Sequence, residues 1–189
     1  HRFLREPFLG AWLEDEALRS LLSMRKAAKE ISEAYGAAEQ VLAMLREARG
    51  GDGGSSGGGG SSSTSTNSSS SSSSASNPTG AGVTLLDVCS GKGLTAVLLS
   101  FLLPEATILL FDSNGAMDLA HVAARPRMRF SQLDLFAADA IEQVGAACAA
   151  TEPHTVIAIG THLCGALSPR LIDMALRVQP VDALILSPC

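Results

Sequence analysis

Asp87 and Asp112 each stand at or just beyond the end of a short apolar run, in VTLLD and TILLFD, and Asp134 follows a third strand-like stretch, in FSQLD. Between the first two lies the turn Cys89-Ser90-Gly91-Lys92-Gly93, followed by the apolar segment LTAVLLSFLL. A small-residue turn leading from strand into helix lets backbone approach a ligand at the helix N-terminus. Asp112 falls 19 residues beyond Gly93, where a carboxylate can accept from ribose hydroxyls. His162 stands in THLCG after a further apolar run, and histidine as a residue type, with a reference pKa of about 6.5, suits a general base toward a hydroxyl. A bond from its ring to a loop carbonyl is the alternative reading.

Two nucleotide patterns overlap at the turn. GKGLTA, residues 91–96, satisfies the dinucleotide pattern GxGxxG/A. DVCSGKG, residues 87–93, satisfies the acid-x-small-x-Gly-x-Gly pattern of S-adenosylmethionine enzymes, with Cys89 in the slot of the first glycine. Asp87 separates them. A carboxylate at the strand end would repel a pyrophosphate but can hold an ammonium group. The expected cofactor is S-adenosyl-L-methionine, contacted by Asp87, Cys89, Gly91, Gly93 and Asp112. Asp134 falls where such enzymes put a carboxylate on the adenine amine.

The elements that must position these residues alternate. Strands are expected at 83–88, 107–111, 128–132, 155–160 and 182–186, with helices at 94–103, 116–124, 137–149 and 168–178. That order implies an α/β fold with a Rossmann-like, doubly wound, mostly parallel sheet and a ligand at the carboxyl ends of its strands. Residues 1–49 read as a helical segment: Leu21, Met24, Ala28, Ile31, Tyr35, Ala38, Leu42 and Leu45 alternate spacings of three and four. Gly36 predicts a kink or a division into two helices. Residues 50–82, almost all Gly, Ser, Thr and Asn, predict a disordered linker with no chemistry of its own. Residues 83–189 are then the cofactor-binding domain.

Composition narrows the function classes. With 46% apolar and 17% charged residues among 189, a core can form in the ordered parts. The best apolar run stops at Pro104 after ten residues, too short for a membrane span. Without a signal-like apolar segment, an intracellular chain, cytoplasmic or nuclear, is expected. The four cysteines form no CxxC pair, which fits reduced thiols better than a zinc knuckle, and no metal is expected. A net charge of −5 gives no global field toward nucleic acid. Arg125, Arg127 and Arg129 could still meet phosphate locally.

DVCSGKG, FDSNG, GTHLCGALS and the final SPC resemble the class I methyltransferase superfamily. Within it they are similar to the eukaryotic tRNA acceptor-stem 2′-O-methyltransferases and related methyltransferase-domain proteins. The resemblance covers roughly residues 83–189. It implies methyl transfer from S-adenosylmethionine, with RNA, and tRNA first, as the substrate. The superfamily sheet continues with two more strands, so the sheet is expected to be truncated after its fifth. Members that methylate adenine amines carry an Asn/Asp-Pro-Pro-aromatic motif after strand four. Here Thr161-His162-Leu163-Cys164-Gly165 stands there, which disfavours amine methylation. Cys164 and Cys189 follow strands four and five, where RNA cytosine-C5 methyltransferases keep paired cysteines. Cys189 is thus a second catalytic candidate beside His162, although small buried thiols explain both cysteines. A catalytically silent cofactor-binding or interaction module is the other reading.

Overall fold

A computed structural model describes residues 6, 8–50, 78–179 and 181–188. Most of the expected linker, residues 51–77, and Cys189 lie outside the described residues. The elements are α1 (Phe8–Glu14), α2 (Glu16–Leu22), α3 (Ala27–Gly50), β1 (Val83–Val88), α4 (Leu94–Leu102), β2 (Thr107–Asp112) and α5 (Ala120–Ala123). They continue with β3 (Met128–Gln132), α6 (Ala140–Ala149), β4 (Thr155–Leu163), α7 (Leu167–Arg177) and β5 (Ala183–Pro188).

The five strands form one all-parallel sheet in the order β3-β2-β1-β4-β5. This is the expected Rossmann-like arrangement. Every residue of β1 is buried, as a central parallel strand covered on both faces requires. Alternate residues feed opposite faces. Val83 and Leu85 join α3 and α4 in one core, and Leu86 and Val88 join α6 and α7 in the other. Asp87 continues the row of Val83 and Leu85, so its side chain falls on the α3/α4 face.

The N-terminal helices belong to that first core. Trp12, Leu18 and Leu21 are fully buried, together with Ile31, Ala34, Ala38 and Val41 of α3. Phe8 and Trp12 lie against Phe101 of α4, with ring centroids 5.8 and 6.3 Å away. Arg125 clamps the same corner. Its guanidinium donates to Asp15 Oδ2 (3.1 Å) and to the His121 carbonyl oxygen (2.9 Å), and lies 5.1 Å from the Phe101 ring centroid.

The helical segment divides at residues 23–26 rather than at Gly36. Asp15 caps α2 by accepting from the Ala17 N–H (2.9 Å), and Ser23 closes it. α3 then runs unbroken through Gly36, which is exposed and has open space beside it. Tertiary packing of Tyr35 and Ala37 on either side outweighs the ~1 kcal/mol propensity cost of one glycine. No helix among the described residues is long and apolar enough to cross a membrane.

Candidate functional site

The sheet order reverses between β1 and β4. β2 and β3 lie on one side, β4 and β5 on the other. In open α/β sheets the carboxyl ends at such a reversal flank a natural crevice. A cleft of about 250 Å³ opens there, lined by Cys89 to Lys92, Leu94 and Thr95 after β1, and by Thr161 and His162 of β4. Its far wall comes from the N-terminal segment, through Met24 and Glu30.

The turn is built from strained backbone. Cys89, Gly91 and Gly93 all have positive φ, at 58°, 52° and 72°. For the two glycines this costs little. A Cβ on Gly93 would also fall 2.5 Å from Leu110 Cδ2, so glycine is required there by space as well as by φ. Cys89 carries a side chain in a left-handed conformation, a cost of about 1–3 kcal/mol met by the surrounding contacts.

Three braces fix the turn. Asp112 Oδ2 accepts from the Gly91 N–H (2.8 Å), while Oδ1 accepts from the Asn114 N–H (2.9 Å). The Ser90 N–H donates to the Phe111 carbonyl oxygen (3.0 Å). His121, buried in α5, donates from Nε2 to the Lys92 carbonyl oxygen (2.7 Å). That bond makes Nε2 the protonated nitrogen, because a carbonyl only accepts. Sequence spacing did not single out His121. Its signal is weak: a polar residue amid DLAHVAA, recognisable only once α5 lies under the turn.

Asp87 differs from the other acids. Its side chain is buried, and among the described residues neither oxygen has a hydrogen-bond partner. Burial raises its pKa to about 7. The Ala96 backbone N–H, which does not reach hydrogen-bonding geometry, offsets part of this, and the charge of Asp112 adds to the rise. A buried unpaired carboxylate is costly. One placed at a strand end beside a cleft suits a cationic ligand group that would neutralise it.

Cys89 registers the convergence of all three acids. Burial first, then Asp112, Asp87 and Asp134, push its thiol up to about 11. At neutral pH it is therefore a protonated thiol and a poor nucleophile. Asp134 is exposed at the end of β3 and accepts from the Phe136 N–H through Oδ1 (2.9 Å). Phe136, 55% exposed, stands beside it. The Arg170 Nε–H on α7 holds this loop by donating to the Leu135 carbonyl oxygen (2.8 Å). None of the three acids lines the cleft: Asp87 is buried behind the turn, and Asp112 and Asp134 lie on its β2 and β3 side.

His162 is not on a loop after β4. The strand continues to Leu163, and His162 sits in a bulge where the β4–β5 register shifts, with φ of 59°. The bulge turns its ring outward, 41% exposed, and Nε2 lies 3.2 Å from Glu33 Oε2 of α3. Glu33 was not anticipated, because 129 positions separate it from His162. Cys164 follows, exposed, with its Sγ 3.6 Å from the His162 carbonyl oxygen. Two of the three arginines considered as phosphate contacts are engaged within the protein. Arg125 holds Asp15, and Arg127 donates to the Glu105 carbonyl oxygen (3.1 Å). Comparison with known proteins finds no matching family model and no curated protein that the chain matches.

Proposed function

We propose that this chain is an S-adenosylmethionine-dependent methyltransferase acting on RNA, with tRNA the favoured substrate. The observation that carries the reading is the buried, unpaired Asp87 under a glycine turn at the point where the strand order reverses. A carboxylate in that position matches a cationic ligand and opposes a pyrophosphate, which weighs against a dinucleotide.

Bound here, S-adenosylmethionine supplies a methyl group activated by its sulfonium. Asp87 provides the negative charge facing its cationic portion. Gly91, whose Cα faces open space, lets the turn approach closely. Asp112 keeps free lone pairs on both oxygens while bracing the turn, enough to accept from ribose hydroxyls. Asp134 and the Phe136 ring offer an acceptor and a flat apolar face to a base. Catalysis rests on holding donor and acceptor in line. Thr95, Thr161 and His162 line the side of the cleft where an acceptor enters.

Calorimetry with S-adenosylhomocysteine tests this directly. Binding is expected, weakened by about 1–3 kcal/mol in Asp112→Ala, which leaves polar ligand groups without partners. Equal or tighter binding of NAD would sink the assignment. A second reading, a cofactor-binding module without RNA chemistry, is favoured by the net charge of −5 and by the engagement of Arg125 and Arg127 within the fold. Transfer of labelled methyl to unfractionated tRNA separates the two.

A further inference from the structure

The N-terminal helical segment reaches the site. Met24 and Glu30 line the cleft, and Glu33, one helical turn beyond Glu30, meets the imidazole of His162 at 3.2 Å. The contact requires the β4 bulge. In a regular strand the side chain after Thr161 would alternate to the other face, whereas a left-handed residue at 162 re-aims it toward α3. Backbone strain of this kind persists only where its surroundings hold it, and it concentrates at functional sites. Glu33 is itself fixed from its own helix, since the Lys29 ammonium donates to both of its oxygens (2.7 and 2.9 Å). Besides Glu33, the charged groups that share the cleft with His162 are Glu30 of α3 and Lys92 of the turn, while Lys29 sits on Glu33 and the Cys164 thiol at the His162 carbonyl.

We propose that Glu33 is a positioning residue for His162, and that the two act together on a hydroxyl acceptor entering the cleft. This rests on the methyltransferase reading above. A carboxylate accepting from Nε2–H fixes the neutral ring in one tautomer and leaves the Nδ1 lone pair as the base. In the transfer, the acceptor oxygen forms its bond to the methyl carbon as the carbon–sulfur bond breaks, and that electron pair stays on sulfur. The hydroxyl proton passes to Nδ1. The resulting imidazolium faces Glu33, which stabilises it until the proton leaves to solvent. α3 is therefore a wall of the active site, contributed by a segment that precedes the glycine- and serine-rich tract.

The test uses the full chain and two independent readouts. Imidazole nitrogen NMR of the cofactor-free protein above pH 8 is expected to show His162 as a single Nε2–H tautomer, with mixed tautomers in Glu33→Ala. A dominant Nδ1–H form would overturn the proposal, because Nε2 could then not donate to Glu33. The second readout is methyl transfer from labelled S-adenosylmethionine to unfractionated tRNA. His162→Gln is expected to lose about 10²–10⁴ in kcat, the usual worth of a general base. Glu33→Gln is expected to lose on the order of tenfold or more, with KM and S-adenosylhomocysteine affinity unchanged and part of the rate restored by Glu33→Asp. Added to His162→Gln, Glu33→Gln is expected to cost nothing further, as for residues that act as one unit. An undiminished penalty in that background would overturn the proposal while leaving the methyltransferase reading intact. Failure of the parent chain to bind S-adenosylhomocysteine at all would overturn that reading and this inference with it.

Discussion

Asp87 sets the pH behaviour of the cofactor-free protein. Its folded pKa, about 7, lies well above that of an ordinary carboxylate, so the folded state holds a proton that the unfolded chain releases. The stabilisation is full below the unfolded pKa near ~3.9 and is lost as pH rises through about 7. Melting temperature is therefore expected to fall between about pH 4 and pH 7 by more in the parent than in Asp87→Asn. At pH 8 that variant should melt higher, having shed a buried charge, yet bind S-adenosylhomocysteine more weakly. A variant that melts lower and binds equally well would refute the role given to this carboxylate. Ligand binding near pH 7 should also release a proton, seen as a buffer-dependent calorimetric enthalpy. At Cys89 the positive φ makes the opposite case, a side chain where glycine fits better. Cys89→Gly is expected to stabilise the fold by about 0.5–1 kcal/mol, whereas Gly93→Ala should destabilise it because its Cβ meets Leu110. Thermal melts of the two variants check both signs.

The glycine turn and its braces, and the seam between α1 and α4, do the positioning at the scale of elements. The seam is aromatic, with Trp12 fully buried against Phe101 and Phe8. Trp12→Ala removes one of the largest buried side chains and is expected to cost about 3–5 kcal/mol in denaturant unfolding. The Arg125–Asp15 pair at the same corner is part-exposed and should contribute only about 0.2–1 kcal/mol in a double-mutant cycle. A larger coupling would mean that stacking on Phe101 strengthens it. His121 braces the turn from below, so His121→Ala is expected to weaken S-adenosylhomocysteine binding without touching the ligand, by loosening the Lys92 carbonyl.

Across the whole molecule, one core joins residues on both sides of the 51–77 tract. Val41 and Leu45 of α3 share it with Val83 and Leu85 of β1. A chain lacking residues 1–50 should therefore expose the α4 and β4–β5 surface that α3 covers, bind a hydrophobic dye and self-associate. Monomeric, dye-negative behaviour of that chain would show the helices to be dispensable. Halving the tract, by contrast, changes closure entropy by only about 0.6 kcal/mol, so melting should move by a few degrees at most.

Much of the sheet was legible because its signals are local. β1 and β3 were bounded to the residue by apolar runs ending in Asp87 and in a polar pair, and the other three strands to within three residues at either end. α5 and α6 proved shorter than their apolar stretches suggested, since Asn114 and Asp134 draw the preceding backbone into side-chain-bonded turns. The types of Asp87, Gly91, Gly93 and Asp112 pointed to a nucleoside ligand because a glycine turn and strand-end acids have few other uses together. Only the tertiary structure decided which acid stands unpaired. Asp112 has the spacing of a ligand contact, yet it also holds the turn, and Asp87 lies buried beneath. The break at residues 23–26, the bulge at His162 and the approach of Glu33 were equally beyond the sequence. The last two bring together segments far apart in the chain, and periodicity records only which face of an element is apolar, never which distant element that face will meet.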